Sequence, residues 1–88
     1  MNGRRLPDDL DPFASGAAQP GDYWRHRGVW YCMTPSGDMG NLRLHAIGEH
    51  EDGTITVLPS IRVTRPMASG ASQEEYHGWL ERGVWRSV

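Results

Sequence analysis

The stretch from Ala46 to Leu58 reads AIGEHEDGTITVL, and it constrains the fold more than any other part of the chain. Residues that favour strands lie on both sides of the short polar loop Glu51-Asp52-Gly53. A glycine at the third position of such a loop is typical of a type I turn followed by a left-handed residue. The pattern therefore predicts a β-hairpin in which His50 pairs with Thr54.

This pairing fixes the register of the hairpin, with the predicted pairs Ala46–Leu58, Ile47–Val57, Gly48–Thr56 and Glu49–Ile55. Apolar residues fall on both faces of the strand pair, so both faces must be covered, as in a barrel, a sandwich or a dimer interface. Pro59 cannot donate to a strand ladder, so we expect a bend there that splits the strand Thr54–Thr64 into two parts.

The remaining strands are predicted in the same way, as runs of strand-favouring residues separated by Gly, Pro and Asp. We predict strands at Arg27–Met33 and Asn41–His50, a flexible loop at Arg65–Gln73, and a final hairpin whose loop is Glu81-Arg82-Gly83. That loop pairs Leu80 with Val84 and Trp79 with Trp85. The sequence predicts an all-β domain over residues 23–88, a small barrel or sandwich of about five or six short antiparallel strands.

Residues 1–22 have a different composition, with three prolines, three glycines, four aspartates and no apolar periodicity. Such a segment cannot offset its ordering entropy by burial. We therefore predict a disordered or loosely draped N-terminal arm with one short helical turn near Asp8–Leu10. Its candidate anchors are Leu6, Leu10 and Phe13.

The small size and the single cysteine limit how the domain can be stabilised. A chain of 88 residues buries only about 60–65% of its unfolded surface. Cys32 is the only cysteine, which excludes an internal disulfide and a cysteine-rich zinc site. Oligomerisation is the remaining support, so we predict a homo-oligomer.

Charge and hydropathy limit the kinds of partner and the cellular location that we expect for this protein. The formal net charge is −2, and seven arginines face seven acidic residues in 23–88, so we do not expect extended nucleic-acid binding. No apolar run approaches the roughly 18 residues of a membrane helix, and no signal peptide is evident. We expect a cytoplasmic protein without a membrane partner.

The candidate chemistry is sparse, and we predict neither a catalytic residue nor a cofactor. The histidines lack a local ligand spacing, so no metal site is predicted; were zinc bound, its ligands would be Cys32, His45 and His77. Neither Cys32 nor Ser60 has a base at an arguable spacing. The acidic pairs Glu51-Asp52 and Glu74-Glu75 fall in loops where water solvates them. These features favour a non-enzymatic protein.

Tryptophan and arginine carry the functional hypothesis, because both dominate binding hot spots. The pair Trp79–Trp85 would first stabilise its hairpin, whereas Trp24 has charged neighbours and is expected at a rim. Arginine beside an aromatic face can also hold a planar anionic ligand. The predicted partner-binding or ligand-binding residues are Trp24, Arg25, Arg62, Arg65 and Trp85.

The motifs EHEDGTITVLPSI and YHGWLERGVW together resemble those of a family of small uncharacterised proteins of actinobacterial phages and prophages. The resemblance covers roughly Gly37 to Val88. It implies a compact β-fold and a phage setting, and no activity. Related members carry cysteine pairs of zinc-ribbon type, which are missing here.

Three functions follow as hypotheses. The first is a phage accessory protein that binds a host protein and acts by occupying it. The second is sequestration of a small anionic ligand such as a nucleotide signal, and the third is a minor virion component.

Overall fold

The computed structural model describes residues 1–11 and 16–88, and this part of the chain contains strands and turns but no helix. The strands are β1 (Arg4–Arg5), β2 (Asp22–His26), β3 (Val29–Met33), β4 (Met39–Asn41), β5 (Ala46–Glu49), β6 (Ile55–Pro66), β7 (Ser72–Glu81) and β8 (Val84–Ser87). They form two four-stranded sheets, β1-β2-β3-β4 and β5-β6-β7-β8, which do not close into a barrel. Neighbouring strands are antiparallel except for β1 and β2. The all-β prediction is confirmed, with more strands than predicted.

The hairpin of β5 and β6 has the predicted register at all four pairs, Ala46–Leu58, Ile47–Val57, Gly48–Thr56 and Glu49–Ile55. The His50 amide donates to the Thr54 carbonyl oxygen at 2.8 Å, and Gly53 has a φ of 87°. The Asp52 carboxylate accepts hydrogen bonds from the hydroxyl and the amide of Thr54, at 2.6 and 3.0 Å. These bonds lower the pKa of Asp52 and brace the loop.

Of the predicted strand Asn41–His50, only Asn41, the end of β4, and Ala46–Glu49, which is β5, lie in strands, and these belong to different sheets. A turn follows β4, where the His45 amide donates to the Leu42 carbonyl oxygen at 3.0 Å, and β5 then begins in the second sheet. Leu42 is buried between the sheets, whereas Leu44 is 94% exposed. The alternation of leucines resembles a strand, but here it marks the crossing from one sheet to the other.

Pro59 lies at an irregularity, as predicted, although it does not end the strand. The pairing of β6 with β7 shifts between Val57 and Ile61, and β6 then continues to Pro66. The segment predicted as a loop, Arg65–Gln73, is the tip of this long hairpin. Its turn closes with the same hydrogen bond as the β5–β6 turn: the Met67 amide donates to the Ala71 carbonyl oxygen at 2.8 Å, as the His50 amide does to that of Thr54.

The register of the last hairpin differs from the prediction by one residue. Leu80 pairs with Trp85 and Trp79 with Arg86, so the loop is the two residues Arg82-Gly83. Their φ values are 46° and 75°, as a type I′ turn requires. The predicted pairing of Trp79 with Trp85 is therefore wrong, and the two tryptophans lie on opposite faces of the sheet.

The core lies between the two sheets. The first sheet and the turn after it contribute Tyr23, Cys32 and Leu42; the second sheet contributes Ile55, Val57, Ile61, Tyr76, Leu80 and Trp85. Tyr76 and Trp85 meet edge to face, with ring centroids 5.7 Å apart. Such an arrangement places the positive ring edge against the negative face of its neighbour.

The described part of the N-terminal arm does not show the predicted disorder. Residues 1–3 pair with β8: the Gly3 amide donates to the Gly83 carbonyl oxygen at 2.7 Å, and the Trp85 amide to that of Met1 at 2.8 Å. Leu6 is 8% exposed and serves as the predicted anchor. Phe13 lies outside the described residues. Backbone pairing holds this segment, and composition alone does not reveal it.

Asp8 and Asp9 form a turn in place of the predicted helical turn, with Asp9 at a φ of 65°. Arg4 forms a bidentate ion pair with the buried carboxylate of Asp22, at 2.8 and 3.1 Å. Within residues 1–11 and 16–88, no helix has the length and hydropathy needed to cross a membrane.

Candidate functional site

The two tryptophans of the predicted site are structural. Trp24 is 0% exposed and stacks on Tyr31, with ring centroids 6.1 Å apart, so the rim position expected for Trp24 is wrong. Trp85 is 2% exposed, and its Nε1 donates to the Gly21 carbonyl oxygen at 2.9 Å. Neither ring is presented to a partner in this conformation.

Arg62 and Arg65 lie on β6, where each pairs with an acidic residue of β7. Arg62 Nε lies 2.8 Å from Glu74, and Arg65 lies 2.8 Å from Glu75. Both arginine side chains are well exposed, at 64% and 68%. Their neighbours neutralise them, so this hairpin has little net charge to attract an anion.

Arg25 belongs to a different cluster, at the end of the sandwich where β2 meets β5. The guanidinium groups of Arg5 and Arg25 lie 5.0 and 5.4 Å from the centroid of the Trp30 ring. Asp8 and Glu49 pair with both arginines. The hydrogen bond from Arg25, followed by that from Arg5, lowers the pKa of Asp8. The five predicted residues thus do not come together in one site.

The structure instead presents an aromatic side chain that the sequence analysis assigned to packing. Val57 pairs with Leu80, and both side chains point into the core. Their neighbours Leu58 and Trp79 therefore point to the opposite face of the sheet. Trp79 lies on that face beside Arg86, its cross-strand partner. We call this surface the outer face, and it comprises Ala46, Leu58, Arg62, His77, Trp79 and Arg86, so one of the five predicted residues lies on it.

Trp79 is the centre of the outer face. The Arg86 guanidinium lies 5.5 Å from the centroid of its ring, and Arg86 is also ion-paired with Glu81. The rings of His77 and Trp79 are also close, with centroids 6.4 Å apart. Leu58 is 57% exposed and adds apolar surface to this face. The face therefore combines a partly exposed indole, a cation and an apolar side chain.

The bulge at Pro59 also brings Ser60 to His77, a contact that sequence spacing could not reveal. Ser60 Oγ lies 3.0 Å from His77 Nε2, and His45 Nε2 lies 3.3 Å from the Ser60 carbonyl oxygen. A serine and a histidine at this distance are the first requirement of a nucleophilic pair. In the described part of the chain, no carboxylate hydrogen-bonds His77 to orient it as a base.

The three side chains named above as the ligands of a possible zinc ion, Cys32, His45 and His77, do not come together. Cys32 is buried in the core, and burial raises the pKa of its thiol to about 12. His45 and His77 instead contact Ser60. Residues 1–11 and 16–88 hold no group of three or more His, Cys, Asp or Glu side chains placed to bind a metal ion.

An open depression of about 480 Å³ lies beside the turns of the β5–β6 and β7–β8 hairpins. It is lined by Glu49, His50, Glu51, Asp52 and Arg82. Three carboxylates against one guanidinium disfavour an anionic ligand, because like charges repel.

Comparison of the chain with protein-family models, with curated proteins and with solved structures finds no match. The resemblance to phage proteins therefore remains a prediction.

Proposed function

We propose that this is a non-enzymatic binding protein that engages a partner protein through its outer face. The observation that carries the proposal is the Trp79 indole with the Arg86 guanidinium 5.5 Å from its centroid, on the same face of the sheet as a 57% exposed Leu58. Tryptophan and arginine are enriched at binding hot spots, where they lose solvent on association. Nothing in the packing of the core requires Arg86 or Leu58 at these positions.

The shape of the outer face favours a macromolecular partner. It is the surface of a four-stranded sheet, and Ala46 and Gly48 of β5 add little relief to it. Small ligands bind in concave sites that enclose most of their surface. A flat surface with a central aromatic anchor is the usual form of a protein interface.

The biological setting of the proposal comes from the resemblance to phage and prophage proteins. In that setting the partner is a host protein in the host cytoplasm, and the protein acts by occupying it. Occupancy needs no catalytic group. We assign the Ser60–His77 contact a structural role, in which it holds the bulge of β6 against β7. A fluorophosphonate probe is expected to leave Ser60 unmodified, and labelling of Ser60 would contradict this role.

A second candidate is the binding of a small planar anion, such as a nucleotide, at Trp30. Two guanidinium groups, from Arg5 and Arg25, lie over this ring. Asp8 and Glu49 already hold both cations, so an anion would have to displace these carboxylates. Arg86 of the outer face also pairs with Glu81, but a protein partner can contact the Trp79 indole and Leu58 without displacing that carboxylate, so we rank the outer face first. Native mass spectrometry with a nucleotide panel distinguishes the two, since only the second predicts a mass shift.

The test of the proposed function is site-specific photo-crosslinking in host cells. A benzophenone side chain at position 58 replaces an exposed leucine, leaves Trp79 and Arg86 in place, and is expected to yield an adduct with one partner. The same side chain at Ser36, an exposed position in the turn between β3 and β4, serves as the control. Equal adducts at both positions, or none at position 58, would count against the outer face.

A further inference from the structure

A bulge in β6 lies opposite Trp79, and we infer that it fixes the indole as a rigid binding anchor. Ser60 is the positioning residue of this arrangement, and it acts on Trp79 through His77. The inference rests on the proposed function, because it concerns how the outer face is held ready for a partner. It gives the Ser60–His77 contact a role in binding in addition to its role in the fold.

The register of β6 and β7 defines the bulge. Two residue pairs bracket it, Val57–Leu80 and Ile61–Gly78. Between these pairs β6 has the three residues 58–60, whereas β7 has Trp79 alone. Bulges are common beside functional sites, where they change the direction of a side chain. Trp79 therefore has more neighbours on β6 than a regular ladder would give it.

Ser60 is the residue that the bulge brings to the outer face. Its Oγ lies 3.0 Å from His77 Nε2, a hydrogen-bonding distance. Arg62 is the cross-strand partner of His77, and Ser60 precedes Arg62 by two residues. In an antiparallel pair, Ser60 therefore contacts the imidazole from the side on which Trp79 lies. The hydroxyl holds the imidazole at that position.

The imidazole and a guanidinium restrict the indole from two directions. His77 precedes Trp79 by two residues, and their ring centroids are 6.4 Å apart with 30° between the ring planes. Arg86 lies across the strand pair, with its guanidinium 5.5 Å from the indole centroid. Both neighbours are held in turn, His77 by Ser60 and Arg86 by its ion pair with Glu81. Rotation of the indole about its side-chain bonds would break these contacts.

A fixed anchor raises affinity because a mobile side chain must be immobilised when a partner binds. Trp79 is only partly buried, and side chains at such positions change rotamer within picoseconds to nanoseconds when their neighbours allow it. Loss of the Ser60 hydroxyl frees the imidazole and, with it, the indole. Ser60→Ala is therefore expected to weaken partner binding about two- to tenfold, without any contact between Ser60 and the partner.

The test is ¹⁵N relaxation of the Trp79 indole N–H in the free, full-length protein, which needs no partner. The Trp79 resonance is the one that disappears in Trp79→Phe. Its order parameter is expected near the rigid value of about 0.85 in the wild type and well below it in Ser60→Ala. The buried indoles of Trp24 and Trp85 are internal references and should stay unchanged. An unchanged Trp79 order parameter in Ser60→Ala would overturn the inference.

A matched pair of variants separates the hydroxyl from the shape of the side chain. Threonine and valine are both β-branched and similar in shape, but only threonine carries a hydroxyl. Ser60→Thr should keep the wild-type order parameter of the Trp79 indole, and Ser60→Val should lower it. Equal order parameters in these two variants would overturn the role of the hydroxyl. The same pair gives the answer if Ser60→Ala does not fold.

Capture from host lysate then separates this inference from the proposed function. Ser60→Ala should recover about two- to tenfold less partner than the wild type, and Ser60→Thr should match the wild type. If Trp79→Ala loses capture while Ser60→Ala retains it in full, the outer face binds without help from Ser60, and the inference fails. If Trp79→Ala retains capture, the proposed function fails, and the order parameter of the free protein decides whether Ser60 positions Trp79.

Discussion

Trp85 Nε1 donates a hydrogen bond to the Gly21 carbonyl oxygen at 2.9 Å, which ties the last strand to the segment entering β2. The same tryptophan packs edge to face with Tyr76. The N-terminal residues lie against this contact and join the two sheets along one side. The interior of the domain therefore depends on residues that precede β2.

Gly3 is the closest approach in this junction. An added Cβ would lie 2.7 Å from the Gly21 carbonyl oxygen and 3.0 Å from Trp85 Nε1. Gly3→Ala is therefore expected to lower the free energy of unfolding by about 1–3 kcal/mol, the cost of overpacking. Denaturant titration followed by tryptophan fluorescence measures it. Gly40→Ala, whose Cβ would make only ordinary contacts at 3.8 and 4.0 Å, is the control. Equal losses would show that Gly3 is not packed as described.

The glycines in the turns of the β5–β6 and β7–β8 hairpins provide a graded test. Gly53 and Gly83 both have a left-handed backbone, at φ values of 87° and 75°. Alanine at Gly53 should cost about 1–2 kcal/mol of unfolding free energy through strain alone. At Gly83 the Cβ would also lie 2.9 Å from the Tyr23 hydroxyl and 3.0 Å from Thr54 Cγ2, adding about 1–3 kcal/mol. Thermal or denaturant melts that rank Gly53→Ala as the worse variant would refute this packing.

Cys32 should be inert while the protein is folded. Burial raises the pKa of its thiol from 9.0 to about 12, which lowers the thiolate fraction near neutral pH roughly a thousandfold. We expect almost no reaction with a disulfide reagent at pH 8, and prompt reaction after unfolding in guanidinium. Because the folded pKa is the higher one, the associated stability is complete below about pH 9 and is lost as the pH rises toward 12. Fast labelling of native protein would contradict the burial.

Asp8 makes the attachment of the N-terminal segment sensitive to acid. The hydrogen bonds from Arg25 and Arg5 lower its pKa below 3.8. A lowered pKa contributes stability that is present above the unfolded value and is lost as the pH falls through the folded value. Melting temperatures of the wild type should therefore fall more steeply below pH 3.8 than those of Asp8→Asn. Parallel curves for the two proteins would show that the ion pairs contribute nothing.

The sequence predicted the β5–β6 hairpin to the residue but missed the last one by a single position. The loop Glu51-Asp52-Gly53 permits one common turn geometry, so its register followed directly. In the last turn Arg82 has a φ of 46°, and residues other than glycine seldom adopt a positive φ. Gly83 fits both the predicted three-residue loop and the observed two-residue type I′ turn, so it did not decide the register. That one-residue error placed Trp79 and Trp85 on the same face, whereas the structure buries Trp85 and leaves Trp79 partly exposed on the opposite face.

The N-terminal segment and the Ser60–His77 contact were beyond sequence reasoning for another reason. The N-terminal segment is held by backbone pairing with β8 and by the ion pair of Arg4 with Asp22. Neither interaction produces a periodic pattern of apolar residues in the sequence. The Ser60–His77 contact depends on the bulge at Pro59, which changes which residues face β7. Local patterns report neither long-range pairing nor the offset that a bulge introduces.

The central claim is that the outer face binds a partner protein, and quantitative affinity capture from host lysate tests it most directly. Baits are the full-length wild type, Trp79→Ala, Arg86→Ala and, as a control of equal charge change, Arg65→Ala, each first shown to melt cooperatively. Loss of a hot-spot side chain costs about 2 kcal/mol or more, so recovery should fall about thirtyfold for Trp79→Ala. Arg86→Ala should weaken capture, and Arg65→Ala should match the wild type. Undiminished capture by both outer-face variants would contradict the account.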